Sequence, residues 1–510
     1  MSTAPPSPAL EEVTEFPHER DVTSVRAALR SPRRLRIEVL GGLVVALALI
    51  PEAISFSIIA GVDPQVGLFA SFTMAVSIAF LGGRPAMISA ATGAVALVVA
   101  PVAREHGLDF LLATVILGGI IEVLLGVVGV ARLMRFIPRS VMIGFVNSLA
   151  ILIFMAQLPH LVDVPWMVYP LVAAGLAIMV LLPRLTSVVP APLVAIVLLT
   201  LVTTFAVIAV PTVGDQGDLP KDLPSLLIPD VPYTFDTLST IAPYALAVAL
   251  VGLMESLMTA KLVDDITDTH SSKTREAWGQ GVSNVITGFF GGMGGCAMIG
   301  QTMINVKASG ARTRLSTFLA GVFLLILVVG LGDVVGTIPM AALVAVMIMV
   351  SVATLDWHSV RPSTLRRMPH SETLVMVSTV AVVVATHNLA IGVVVGVLVA
   401  MVLFVRRVAH FTQVIDIAHP DEDTRVYAVV GELFFASSND LVTQFDYVGD
   451  PPNVIIDLSR SHIWDASTVA ALDAIQTKYA AKGKTVSVVG LNEDSSTRHD
   501  LLAGHLGGEG

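Results

Sequence analysis

The chain is short of charge and nearly free of cysteine. Only 14% of its 510 residues are charged, against 54% hydrophobic. That is too little polar material for the surface of a soluble enzyme, so the composition places the chain among polytopic membrane proteins. The single cysteine, Cys296, excludes an internal disulfide and offers no metal-site spacing. Positive charge is not in surplus, and a formal net charge of -10 argues against a nucleic-acid partner. The opening residues lack an apolar core preceded by positive charge, so no cleaved signal peptide is expected, and residues 1–38 read as a cytoplasmic N-terminal segment. There is no H-E-x-x-H, phosphate loop or G-x-S-x-G, so soluble-type enzyme chemistry has no support.

What the chain has in abundance is apolar runs bounded by Pro, Gly or charge. Fourteen can be counted, centred near residues 49, 74, 94, 120, 148, 175, 201, 252, 286, 302, 323, 346, 379 and 398. Alternate connections collect the basic residues, among them Arg33, Arg84, Arg139, Arg184, Lys273, Arg314, Arg361 and Arg407, while the opposite side holds Arg104 and Lys221. The excess of Lys and Arg on cytoplasmic loops then puts both termini in the cytoplasm. Residues 212–240 carry Asp215, Asp218, Asp222, Asp230 and Asp236 and are expected as an extracytoplasmic loop. That loop divides the membrane part into repeats at 39–211 and 241–410, with seven segments each. An odd number per half forces the halves to insert with opposite topology, which marks an inverted-repeat transporter.

Residues 244–265 hold Glu255 in the middle of a membrane segment. An acidic side chain there costs roughly 2.5 to 3.5 kcal/mol, so it usually faces a cavity or an ion path. Thr259 lies one turn away on the same face, and the pair offers hard oxygen ligands for a cation or a site for a proton. A hydrogen bond from Glu255 to a neighbouring helix is the plainer alternative. The first segment mirrors the eighth, with Glu52 in ALIPEAISFS against Glu255 in GLMESLMT. The third segment, 87–101, and the tenth, 291–307, are short and rich in small residues, so each reads as a half-helix preceded by an extended piece. Two half-helix N-termini meeting in the membrane would offer free N–H groups and positive dipole ends to an anion. Tight helix packing would also account for the glycines. For Glu122 on the fourth segment, a structural hydrogen bond and a transport role both stay open. Residues 330–333 match G-x-G-D, but Asp333 falls at a helix end and no Tyr-Asp partner occurs in any membrane segment, so aspartyl protease chemistry is discounted.

After Arg407 the composition changes and a soluble α/β domain is expected at 424–510. Strands are read at 426–431, 453–458 and 485–489, with helices at 439–445 and 466–481 and a weak terminal helix.

Taken together these residues resemble the SulP (sulfate permease) family of anion transporters. The resemblance runs over residues 39–505 and is strongest in PEAISFSIIAGVDPQVGLFASFTMAVSIAFLGGRP, then in E-x-x-x-G, R-F-I-P and G-F-x-N within 121–147, and in 291–316. The C-terminal domain resembles a STAS domain, with Asp457-Leu458-Ser459 followed by Asp465-Ala466-Ser467. The resemblance implies fourteen helices in two inverted repeats, divided into core and gate domains, usually as a homodimer in the lipid bilayer of a bacterial-type cytoplasmic membrane. It also implies secondary active transport of a small oxyanion coupled to Na⁺ or H⁺, with an anion channel or a transport-inactive sensor as the alternative. The anion would meet Glu52, Ser55, Ala91, Thr92, Gly93, Ala297, Met298 and Ile299. The coupling cation would meet Glu255, Thr259, Gly300 and Thr302, with Na⁺ held between Glu255 and Thr259. Ser467 stands where bacterial regulatory STAS domains are phosphorylated, although Asp465 also fits an ordinary helix N-cap. Two departures are visible: Glu52 stands where many members have Gln, and Gln301 and Thr302 stand where animal members have a basic residue. No organic cofactor is expected.

Overall fold

A computed structural model describes residues 22–129, 137–185, 190–409 and 412–504. The chain divides into two compact units, Met1–Gly396 and Val397–Gly510. The expected fourteen segments are all present as helices, and each expected centre falls inside one of them.

The first half runs α1 (Pro32–Ala60), α2 (Pro64–Leu81), α3 (Gly93–His106), α4 (Leu108–Val128), α5 (Arg139–Met155), α6 (Val168–Leu185) and α7 (Ala191–Phe205). The second runs α8 (Phe235–Thr267), α9 (Lys273–Phe289), α10 (Ile299–Met303), α11 (Arg314–Gly330), α12 (Met340–Thr354), α13 (His370–Thr386) and α14 (Leu389–Ala409). Punctuation follows local chemistry. Pro32 and Pro64 sit in the first turns of α1 and α2, where a missing N–H costs nothing, and Gly61 closes α1 at φ 79°.

The packing repeats between the halves. Helix α1 packs on α11 as α8 packs on α4, α2 packs on α11 as α9 packs on α4, and α5 packs on α13 as α12 packs on α6. Each pairing maps onto its counterpart when seven is added to or subtracted from the helix number, which is what two superposable repeats produce. Two groups emerge: a core of α1, α2, α4, α8, α9 and α11, and a gate of α5, α6, α7, α12 and α13. In the core, α4 and α9 nearly touch. A Cβ on Gly119 or on Gly281 would lie 2.6 Å from the carbonyl oxygen of the other.

The third and tenth segments are broken as expected. Strand β1 (Ser89–Ala90) precedes α3, and β2 (Cys296–Ala297) precedes α10. The two strands pair antiparallel, Ser89 with Ala297 and Ala90 with Cys296. After Met303 the chain continues as one π-turn, Ile304–Ala308. Here the glycine allows close approach, because a Cβ on Gly295 would lie 1.9 Å from the Ala90 carbonyl oxygen. Arg84, one of the basic residues on which the expected topology rests, is buried and ion-paired with Asp264 at 3.0 Å.

The C-terminal unit contains a four-stranded sheet, β3 (Gln413–Asp421), β4 (Thr424–Leu433), β5 (Asn453–Ile463) and β6 (Thr485–Val489), in that spatial order. Strands β4, β5 and β6 are parallel, and β3 is antiparallel at the edge. Helices α15 (Phe435–Thr443), α16 (Ala466–Ala480) and α17 (Glu493–Leu502) complete it. Val429, Ile456, Leu458, Val469, Leu472 and Ile475 form the core between sheet and helices. The sequence reading stops short of β3, which contains Pro420 and several polar residues, a pattern an edge strand tolerates. Helix α15 starts four residues before the expected 439, because Ser437 closes its first turn by bonding the Phe434 N–H at 3.0 Å.

Candidate functional site

Both half-helices begin next to one cavity of about 420 Å³. Its walls come in pairs related by the repeat. Glu52 and Phe56 of α1 are matched by Glu255 and Met258 of α8; Thr92 and Gly93 open α3 as Met298 to Gln301 open α10; and Phe145, Val146, Leu149 and Ile153 of α5 are matched by Val350, Ala353 and Thr354 of α12, which packs beside it. The first N–H groups of a helix have no intrahelical acceptor, so those at the starts of α3 and α10 are directed into the space ahead of them. Thr92 caps α3 by accepting from the Val95 N–H at 3.4 Å, whereas Met298 caps nothing with its side chain.

The strand pair fixes this geometry. The Met298 N–H donates to the Ile88 carbonyl at 2.8 Å, and the Ile88 N–H donates to the Thr302 hydroxyl at 3.0 Å. The Ala297 N–H donates to Ser256 of α8 at 3.1 Å, and the Ala91 N–H to Ser71 of α2 at 3.3 Å. Ala91, Ala297 and Thr302 are therefore supports behind the cavity and not part of its wall. Ser55 also turns away, bonding the Pro51 carbonyl at 2.7 Å. Thr259 is fully buried, and its hydroxyl donates to the Glu255 backbone carbonyl at 2.8 Å, so its proton is committed while its lone pairs are not. Of the expected residues, Glu52, Thr92, Gly93, Glu255, Met298, Ile299 and Gly300 reach the cavity.

Each carboxylate has one side-chain donor. The Gln301 amide donates to Glu52 at 2.5 Å, and the Cys296 thiol donates to Glu255 at 2.9 Å. The thiol also lies 3.1 Å from the Thr92 hydroxyl, so one residue of β2 links the helix of Glu255 to the cap of α3. The residues are scarcely exposed, Glu52 at 9% and Glu255 at 8%. The pairing roles of Cys296 and Gln301 were not foreseen from the sequence. A polar amide in an apolar run is a signal for Gln301, but nothing in the sequence singles out the thiol. The apolar wall from α5 and α12 carries no sequence signal either. Glu122 lies outside the cavity. One of its oxygens accepts from Asn284 at 2.8 Å, and the same Asn284 clamps both backbone groups of Gly295.

In the C-terminal unit, Asp465 caps α16 by accepting from the Thr468 N–H at 3.1 Å, and Ser467 is exposed in the first turn. Asp450 is wholly buried and accepts from Arg425 at 2.6 Å, from the Tyr427 hydroxyl at 2.9 Å and from the Tyr479 hydroxyl.

Paired half-helices converging on a small cavity between two helix groups define a carrier-type membrane protein with an inverted repeat. The sulfate permease family matches residues 35–174 and 166–379, and the STAS domain matches 415–502. The chain belongs to the sulfate permease family of anion transporters and carries a C-terminal STAS domain. It is 53% identical to "Putative sulfate transporter YbaR" of Bacillus subtilis over 92% of this chain and 97% of that protein. The transmembrane domain of a cyanobacterium bicarbonate transporter, BicA, superposes with a TM-score of 0.62 at 25% identity, covering 72% of this chain and 98% of that one. The murine Slc26a9 anion transporter shares the fold, with a TM-score of 0.78 at 16% identity over 92% of this chain and 87% of its own.

Proposed function

We propose that the chain moves a small oxyanion, sulfate or bicarbonate and by extension a dicarboxylate, across a cytoplasmic-type membrane by alternating access, driven by Na⁺ or H⁺. The observation that carries this reading is the shared cavity, which two helix starts and two carboxylates border together. Helix starts supply only partial positive charge, so an unaccompanied Glu255 carboxylate would repel the anion. A cation or proton on Glu255 removes that repulsion, and each ion then raises the other's affinity by the same factor. A passive anion pore gains nothing from added negative charge, which weighs against the channel alternative. Sodium would take the Glu255 carboxylate and the lone pairs of Thr259 as hard oxygen ligands, with Gly300 and Thr302 behind them. The anion would lie across Gly93 and Ile299, where N–H groups are free of intrahelical acceptors. Both termini would be cytoplasmic, and the protein would work as a homodimer.

The test is uptake of labelled sulfate, bicarbonate and fumarate into proteoliposomes under separately imposed Na⁺ and pH gradients. Uptake of one anion should exceed its equilibrium level under one of the two gradients. Flux that only ever follows the anion's own gradient would overturn the coupled reading.

A further inference from the structure

A second space shares helix α1 with the transport cavity. It is a crevice of about 210 Å³ whose wall includes Leu47 and Pro51 of α1, Val197 and Leu201 of α7, Leu331 after α11, and Val334. None of its lining side chains is charged or aromatic, and Thr200 brings the only hydroxyl. Val197, Leu201, Leu331 and Val334 are between 46% and 59% exposed, so the mouth opens on the outer surface of the helix bundle. In a protein of this family that surface meets hydrocarbon. An aliphatic crevice of this size exceeds an apolar cavity of about 150 Å³ that admits benzene, yet it offers nothing for stacking, charge pairing or headgroup recognition. Left empty, its walls would forfeit their dispersion contacts.

We propose that the crevice holds an acyl chain of a bilayer lipid. The position gives the site a consequence. Helices α1 and α11 belong to the core group and α7 to the gate group, so the chain lies in the seam between them. Pro51 forms the crevice wall and the next residue, Glu52, borders the transport cavity. Any displacement of core against gate must therefore reshape the crevice, and a lodged chain acts as a wedge there. This last step rests on the alternating-access reading; occupancy of the crevice does not.

The experiment uses the full chain in liposomes doped with a phosphatidylcholine carrying a diazirine on its acyl chain. After irradiation, adducts are mapped by peptide mass spectrometry. Adducts at Val197, Leu201 and Leu331 should exceed those at the comparably exposed Val394 and Leu398 of α14 by about threefold or more, as expected for a chain held by packing over one sliding past. V197W and L201W, placed at the exposed rim, should each remove that excess while leaving labelling of α14 unchanged. Equal labelling at the two places, an excess that survives both variants, or cross-linking of the crevice to a second copy of the chain would each overturn the proposal. If uptake is seen, V197W should slow it by about fivefold with unchanged anion KM, as for a change that acts on movement and not on binding. A variant that loses the adduct excess yet transports at the parent rate would remove the wedge role.

Discussion

Three of the buried carboxylates, Asp450, Glu52 and Glu255, differ in what surrounds them. In the C-terminal unit Asp450 has a guanidinium and two phenols on its two oxygens. In the membrane unit Glu52 and Glu255 have one neutral side-chain donor each. A saturated, charge-paired carboxylate holds its surroundings in place and has no capacity left for a ligand. An under-supplied one beside a cavity keeps lone pairs for something that comes and goes. The two glutamates differ from each other in the same sense. An amide at 2.5 Å holds Glu52 firmly, whereas a thiol is a weak donor, which on the coupled-transport proposal Glu255 would give up to a cation or proton.

The comparison can be broken in several places. The largest effect is expected from Asp450→Ala, which leaves the Tyr427 and Tyr479 hydroxyls without their acceptor and Arg425 with Asp416, and should cost the C-terminal unit about 3 kcal/mol. Hydrogen exchange of residues 424–502 in the full chain would report it; unchanged protection would mean the network is not what holds the unit together. Next comes Glu255→Gln, which keeps shape and removes charge. Ion-gradient stimulation of uptake should vanish, a loss of roughly 5- to 150-fold set by the usual size of coupling between sites. Stimulation as in the parent would move the coupling role to Glu52. Gln301→Leu deprives Glu52 of its donor and should raise the anion KM by about tenfold, the equivalent of one unsatisfied buried acceptor. Glu52→Gln should be milder, since a carbonyl still accepts from Gln301.

Cys296→Ser replaces a weak donor with a stronger one at Glu255, so the half-saturating concentration of the coupling ion should rise by roughly two- to fivefold with normal expression. No change would show that the thiol does not compete with the ion. The smallest effect is on pH. Burial first, then hydrogen bonding to Asp450, pushes the Tyr427 phenol up to about 12 from 10.0, and the same causes raise Tyr479. The unfolded phenols ionise first, so the unfolded state loses protons the folded state keeps. Their stabilising contribution is complete below pH 10 and declines as pH rises toward 12. In Tyr427→Phe the C-terminal unit should be less stable at neutral pH but should lose stability less steeply between pH 10 and 12; an unchanged alkaline slope would mean that this phenol's ionisation is not linked to folding.

Much of this was legible in the sequence because the membrane imposes it. A Glu inside an apolar run and a Gly-rich half-segment both stand out where the solvent is hydrocarbon, which is why Glu52, Glu255 and the two broken segments could be read directly. What was not legible is what lies across space. That Cys296 reaches Glu255, and Gln301 reaches Glu52, depends on the register of the β1–β2 pair, which two residues per strand cannot announce. The expectation that Thr259 shares a face with Glu255 holds for the helix, yet neighbouring elements bury that hydroxyl and it bonds its own backbone. The gate wall of α5 and α12 is ordinary aliphatic sequence, and only the packing of the two groups makes it a wall.

The pairing of β1 with β2 also bears on how such a chain can change over time. Ser89 and Ala90 from one repeat and Cys296 and Ala297 from the other complete a single element, with Ala90 lying where any side chain on Gly295 would have to go. Neither repeat holds this element by itself; each contains one side of a joint. However far the two sequences drift elsewhere, position 295 is held to glycine by the backbone of the other half.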